Sequence, residues 1–104
     1  MTLLPSEAEP ACARSEVRLT YLESLAGELI CRGMSAVVLT PYGRVPAVHV
    51  VNPAATALAE NVYAAQGADG AWWYWWSWAE RIAAAEHVDG AADCIARVLA
   101  AEKG

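Results

Sequence analysis

Residues 71–78 read Ala-Trp-Trp-Tyr-Trp-Trp-Ser-Trp and hold all five tryptophans of the chain. Aromatic side chains favour the pleated, half-buried surface of a sheet, so this stretch reads as a β-strand. A strand so apolar needs hydrogen-bonded neighbours along its edges. The preceding Gly67-Ala68-Asp69-Gly70 is a good hairpin loop, which would pair the tryptophan strand with residues 58–65. The same upstream region also fits a helix over residues 54–66, with Asn52 as N-cap, Pro53 at the first helical position and Gly67 as terminator. The strand reading is preferred because it supplies the neighbour that residues 71–78 require.

Working outward, residues 36–40 (Ala-Val-Val-Leu-Thr) are short and β-branched, and Pro41-Tyr42-Gly43-Arg44 follows as a turn. Residues 45–51 complete a second hairpin, which Asn52-Pro53 closes. Upstream, Leu22, Leu25, Ala26, Leu29 and Ile30 recur on one helical face. Ser15 suits the N-cap, Glu16 the first turn and Gly33 the left-handed position after the last turn. Downstream, the tryptophan strand is expected to run on through Glu80, Arg81 and Ile82. A second helix then buries Val88, Ala91, Ala92, Ile95, Val98 and Leu99, with Glu86 and Asp89 complementing its dipole. The expected order is α-β-β-β-β-α. This is an α+β fold with a four-stranded antiparallel sheet and two helices packed on one face. Residues 1–14, with Pro5 and Pro10 and no periodicity, read as a flexible N-terminal tail, and residues 15–104 as a single domain.

Composition agrees with one core. The 104 residues are 57% apolar, but 23 of them are alanine, too little bulk for two domains. Seven basic against twelve acidic residues leave a net charge of −5, and the arginines are scattered. That field counts against nucleic acid and against an anionic membrane surface. Residues 70–79 lack charge but are too few to span a bilayer, and no basic segment leads into an apolar signal-like run. Cys12, Cys31 and Cys94 are odd in number and widely spaced. They read as reduced thiols of a cytoplasmic protein, with Cys31 and Cys94 expected to be small buried residues on the helices.

The WWxWWSW-like stretch from Trp72 to Trp78, followed by the alanine-rich helix from Asp89 to Leu99, resembles a set of small actinobacterial proteins that carry no assigned activity. The likeness extends from Tyr21 to Leu99. The order of elements is also similar to that of secretion-type chaperones, dimeric binders without catalysis. The resemblance implies a binding role and transfers no catalytic residue.

Alternation sorts the tryptophan strand into two faces, Trp72, Tyr74, Trp76 and Trp78 against Trp73, Trp75, Ser77 and Ala79. A sheet covered on one side should alternate apolar with polar, and this strand does not. Each indole carries up to about 250 Å², so Trp73 and Trp75 together approach a significant patch. On the neighbouring strands His49, Asn61 and Tyr63 fall into the more polar set, although Glu60 breaks the sorting by falling beside Leu58 and Val62. Trp73, Trp75, Ser77, His49, Tyr63 and Asn61 are therefore the candidate binding residues. They suit a homodimer contact or another protein partner, or else a tryptophan-lined pocket for an apolar or aromatic small molecule. His49 and His87 lack a second ligand at metal-binding spacing, and no metal or cofactor is expected. Ser77 and His49 could form a base-assisted hydroxyl, but no catalytic motif surrounds them. The expectation is a binding protein rather than an enzyme.

Overall fold

The computed structural model describes residues 11–100. It is an α+β arrangement of two helices and five strands. Helix α1 (Ala11–Cys31) leads into β1 (Ser35–Leu39), β2 (Ala47–Val51), β3 (Ala59–Gln66), β4 (Trp72–Trp76) and β5 (Arg81–Ala84), and α2 (Val88–Val98) follows. The strands form one open antiparallel sheet in chain order. No helix among the described residues is long and apolar enough to cross a membrane.

The sheet has five strands, where four were expected. The tryptophan strand stops at Trp76, and the chain reverses through Ser77, Trp78, Ala79 and Glu80. Two backbone bonds close the turn, Ala79 N–H to the Trp76 carbonyl (3.0 Å) and Trp76 N–H to the Glu80 carbonyl (2.8 Å). Ala79 adopts a left-handed backbone with φ of 69°, which costs a non-glycine residue roughly 1–2 kcal/mol. Side chains offset that cost. Trp78 stacks on Trp76 with ring centres 4.9 Å apart, and its indole N–H donates to Oε1 of Glu80 at 2.8 Å. Trp78 thus braces a turn instead of extending one face of a strand.

Residues 59–66 form a strand, as preferred over the helix. Val48 lies opposite Val62 on one side and Trp76 lies opposite it on the other. Asn52 begins two tight turns and not a helix. Its Oδ1 accepts from Ala54 N–H (2.8 Å), while its buried amide donates to the Leu99 carbonyl at the end of α2 (2.6 Å). One polar side chain therefore satisfies a loop and a helix terminus together.

A single buried cluster joins Leu22, Leu25, Ala26 and Leu29 of α1 with Ala91, Ala92 and Ile95 of α2. From the sheet it takes Ala36, Val48, Val50, Val62, Ala64, Tyr74 and Trp76, which alternate along their strands and share one face. Polar contacts join α1 to β3 and β4. The Tyr74 hydroxyl donates to the Tyr21 carbonyl (2.7 Å) and Arg18 Nε donates to the Ala64 carbonyl (2.9 Å). Gly33, at φ of 89°, ends α1 in a Schellman motif. Met34 N–H bonds the Leu29 carbonyl and Gly33 N–H the Ile30 carbonyl, both at 3.0 Å.

Three details differ from expectation. Ser15 lies inside α1, which is already helical at Ala11, so the expected tail overlaps the helix by its last four residues and otherwise lies outside the described residues. Ile30 and Val98, each placed on a buried stripe, are exposed near the ends of their helices. Cys31 is also exposed, at the last position of α1, while Cys94 is half-buried.

Candidate functional site

The face opposite the buried cluster follows from strand register. Val37 pairs with His49, His49 with Asn61, Tyr63 with Trp75 and Ala65 with Trp73. Directly opposed residues of antiparallel strands share a face, so His49, Asn61, Tyr63, Trp73 and Trp75 form one surface. His49 Nδ1–H donates to Oδ1 of Asn61 at 2.8 Å, and the Trp75 indole donates to the Ala65 carbonyl at 3.2 Å. Five of the six candidate residues are brought together. Ser77 is not among them, because it lies in the turn after β4 and its hydroxyl reaches Oε1 of Glu60 (3.4 Å).

Arg81 is the residue that alternation could not locate. Between β4 and β5 the register slips, with Tyr74 opposite Ala83 but Trp75 opposite Arg81. The bulge sets two residues against one and re-aims the strand. Ile82 consequently packs toward the core while the Arg81 guanidinium lies over both open-face indoles. Its central carbon is 4.5 Å from the Trp73 ring centre and 5.7 Å from that of Trp75. A cation over two aromatic faces is held by their quadrupoles and keeps its own polar edge toward water. Trp73 is further confined by the β3–β4 loop, where a Cβ on Gly67 would lie 3.3 Å from the indole Cδ1. Its indole N–H is buried and has no acceptor among the described residues.

At the other end of the same face the β1–β2 loop overhangs the sheet and leaves an open concavity of about 500 Å³. Leu39, Val45 and Ala47 supply apolar wall, and Arg44, Asn61 and Tyr63 supply polar groups. Tyr63 thus borders both the concavity and, through its pairing with Trp75, the arginine–tryptophan stack. The four residues expected to line a pocket, Trp73, Trp75, Tyr63 and His49, have different neighbours in the fold. Tyr63 lines the cavity, the two indoles are capped by Arg81, and His49 is engaged with Asn61.

Comparison of the chain with protein-family models, with curated proteins and with solved structures finds no match. The site must be read from its own chemistry.

Among the described residues no three His, Cys, Asp or Glu side chains gather as a metal site. Tyr74, on the opposite face of β4, has its phenol pushed well above the ordinary value of 10.0, first by burial and then by neighbouring Tyr21. It serves as a neutral donor to the Tyr21 carbonyl and belongs to the core.

Proposed function

We propose that the protein is a cytoplasmic, non-enzymatic accessory protein whose open sheet face contacts another protein, either a second copy or a different chain. In this reading both helices occupy the core face and leave the opposite face for the partner. The observation that carries the reading is the stack of Arg81 over Trp73 and Trp75, with Tyr63 paired alongside. Tryptophan, tyrosine and arginine dominate the energetics of protein interfaces, because they combine a large apolar area with a polar edge that can find a partner. The free thiols at Cys31 and Cys94 suit a reducing compartment.

A photoreactive cross-linker placed at Tyr63, in protein exposed to extract of its native host, tests the reading. A single dominant adduct, reduced at least several-fold when Trp75→Ala is added, is the expected result. Adducts no different from those of a linker at Glu23, on α1, would overturn it.

The concavity beneath the β1–β2 loop favours a second reading, a small molecule with an apolar body and an anionic group facing Arg44. Raised melting temperature on titration with aromatic carboxylates, abolished by Arg44→Ala, would favour that reading over the first.

A further inference from the structure

We infer that two copies of the chain join through the outer edge of β1, continuing the five-stranded sheets into one ten-stranded sheet. This contact is made by the backbone edge of β1 and does not depend on the arginine–tryptophan stack, although Val37 and Leu39 project from the open face. β1 is an edge strand, and among the described residues no other segment bonds to its outer side. Natural sheet edges are ordinarily blunted by lysine, proline, bulges or brevity. β1 carries none of these devices. It reads Ser-Ala-Val-Val-Leu, and its register with β2 is unbroken over all five residues.

The surroundings of β1 are equally bare. From residue 33 to residue 59 the only charged side chain is Arg44. Val37, Leu39, Tyr42 and Val45, four of the exposed large hydrophobic residues, lie on this strand and the loop that follows it. The opposite edge is managed in the usual way. β5 has four residues, a bulge, Arg81 at its start and Glu86 just beyond its end.

A second copy is the occupant that β1 fits. Antiparallel pairing of β1 with itself about a two-fold axis at Val37 sets Ser35 opposite Leu39 and Ala36 opposite Val38, so every position meets a small or apolar partner. A foreign partner is ordinarily selected by complementary charge, and this edge offers no pattern to select one. The chain carries a net charge of −5, but no carboxylate falls within residues 33–59, so two copies can meet here without opposing acids. Val37, Leu39, Tyr42 and Val45 are exposed beside this edge, and pairing of two edges would cover part of them. Because directly opposed residues share a face, both arginine–tryptophan stacks would lie on the same side of the joined sheet.

Sedimentation of the unaltered protein at about 100 μM, the range in which a small interface should be populated, is the first measurement. A mass near twice the 11.1 kDa of one chain is expected. Val37→Lys sets two like charges against each other on the axis and should weaken the dimer about tenfold or more. Val37 is half exposed, and unchanged far-ultraviolet circular dichroism will establish that the variant folds. Val37→Cys provides a second measurement, since paired strands hold opposed Cα atoms about 4.5–5.5 Å apart, within disulfide reach. Mild oxidation should then link two chains far faster than it links the unaltered protein through Cys31. A monomer at this concentration overturns the proposal. So does a dimer indifferent to Val37→Lys, and if that dimer is dissociated by Trp75→Ala it assigns self-association to the open face.

Discussion

The β1 edge runs five residues with no charge and no bulge, whereas the β5 edge is short, bulged opposite Trp75 and led by Arg81. The β4–β5 hairpin carries its own locks: the Trp76–Trp78 stack, the Trp78–Glu80 hydrogen bond, and Arg81 laid across two indoles. The β1–β2 hairpin is connected by the exposed residues Thr40 to Val45 and one turn bond, from Arg44 N–H to the Pro41 carbonyl at 3.2 Å. One end of the sheet is a short, bulged strand led by an arginine, and at the other no segment among the described residues bonds to the outer side of β1. Substitutions in the first should therefore disturb folding, and substitutions in the second should disturb assembly.

The largest effect is expected at Trp76. It is buried, and truncation to alanine should cost about 3–5 kcal/mol in urea unfolding. Trp75, half-buried on the open face, should cost less than half as much, because solvent already reaches one side of it. Equal losses at the two positions would mean that the open face is as much core as the other, and the contrast would fail.

Tyr74→Phe should cost about 1 kcal/mol through its lost hydrogen bond to Tyr21. It should also change the response to alkali. The folded-state pKa of Tyr74 is raised, so below pH 10 the phenol is neutral in folded and unfolded chains and its contribution is intact. Above pH 10 the unfolded chain ionises first, and stability should fall as pH rises toward the folded-state value. Melting temperatures between pH 9 and pH 11 should therefore drop more steeply for the unaltered protein than for Tyr74→Phe.

Ala79→Gly sharpens the comparison from the opposite direction. Removing the Cβ from a left-handed position should stabilise the protein by roughly 1 kcal/mol, provided the Trp76–Trp78 stack persists. A loss of stability would indicate that the turn is held by the stiffness of its backbone more than by its side chains. The smallest effect on folding belongs to Val37→Lys, which should leave the stability of the single chain within about 0.5 kcal/mol while it disrupts pairing of β1.

Much of this arrangement could be read from local pattern. Residues 72–76 needed only a period of two to separate Tyr74 and Trp76 from Trp73 and Trp75. The same period carried His49, Asn61 and Tyr63 onto the indole face, because antiparallel register preserves sides. Glu60 falls beside Val62 by alternation, as anticipated, but at the half-buried start of β3, where its carboxylate meets Ser77. Leu22, Leu25 and Leu29, spaced three and four apart, and the glycine at position 33 likewise marked α1 and its end.

Other features depended on contacts that no local pattern encodes. The turn at residues 77–80 contains neither glycine nor proline, and it forms because Trp78 finds Trp76 and Glu80 after the chain has reversed. Without that turn there is no fifth strand, no bulge, and no reason to bring Arg81 over Trp73 and Trp75. Ile30 and Val98 match the spacing of the buried stripes, yet each lies near a helix end with no core residue to cover it. Asn52 carries the features of a helix start, but its amide is used 47 residues away at the Leu99 carbonyl. Periodicity records which side of an element a residue occupies. Whether anything lies on that side is set by packing between segments distant in the chain.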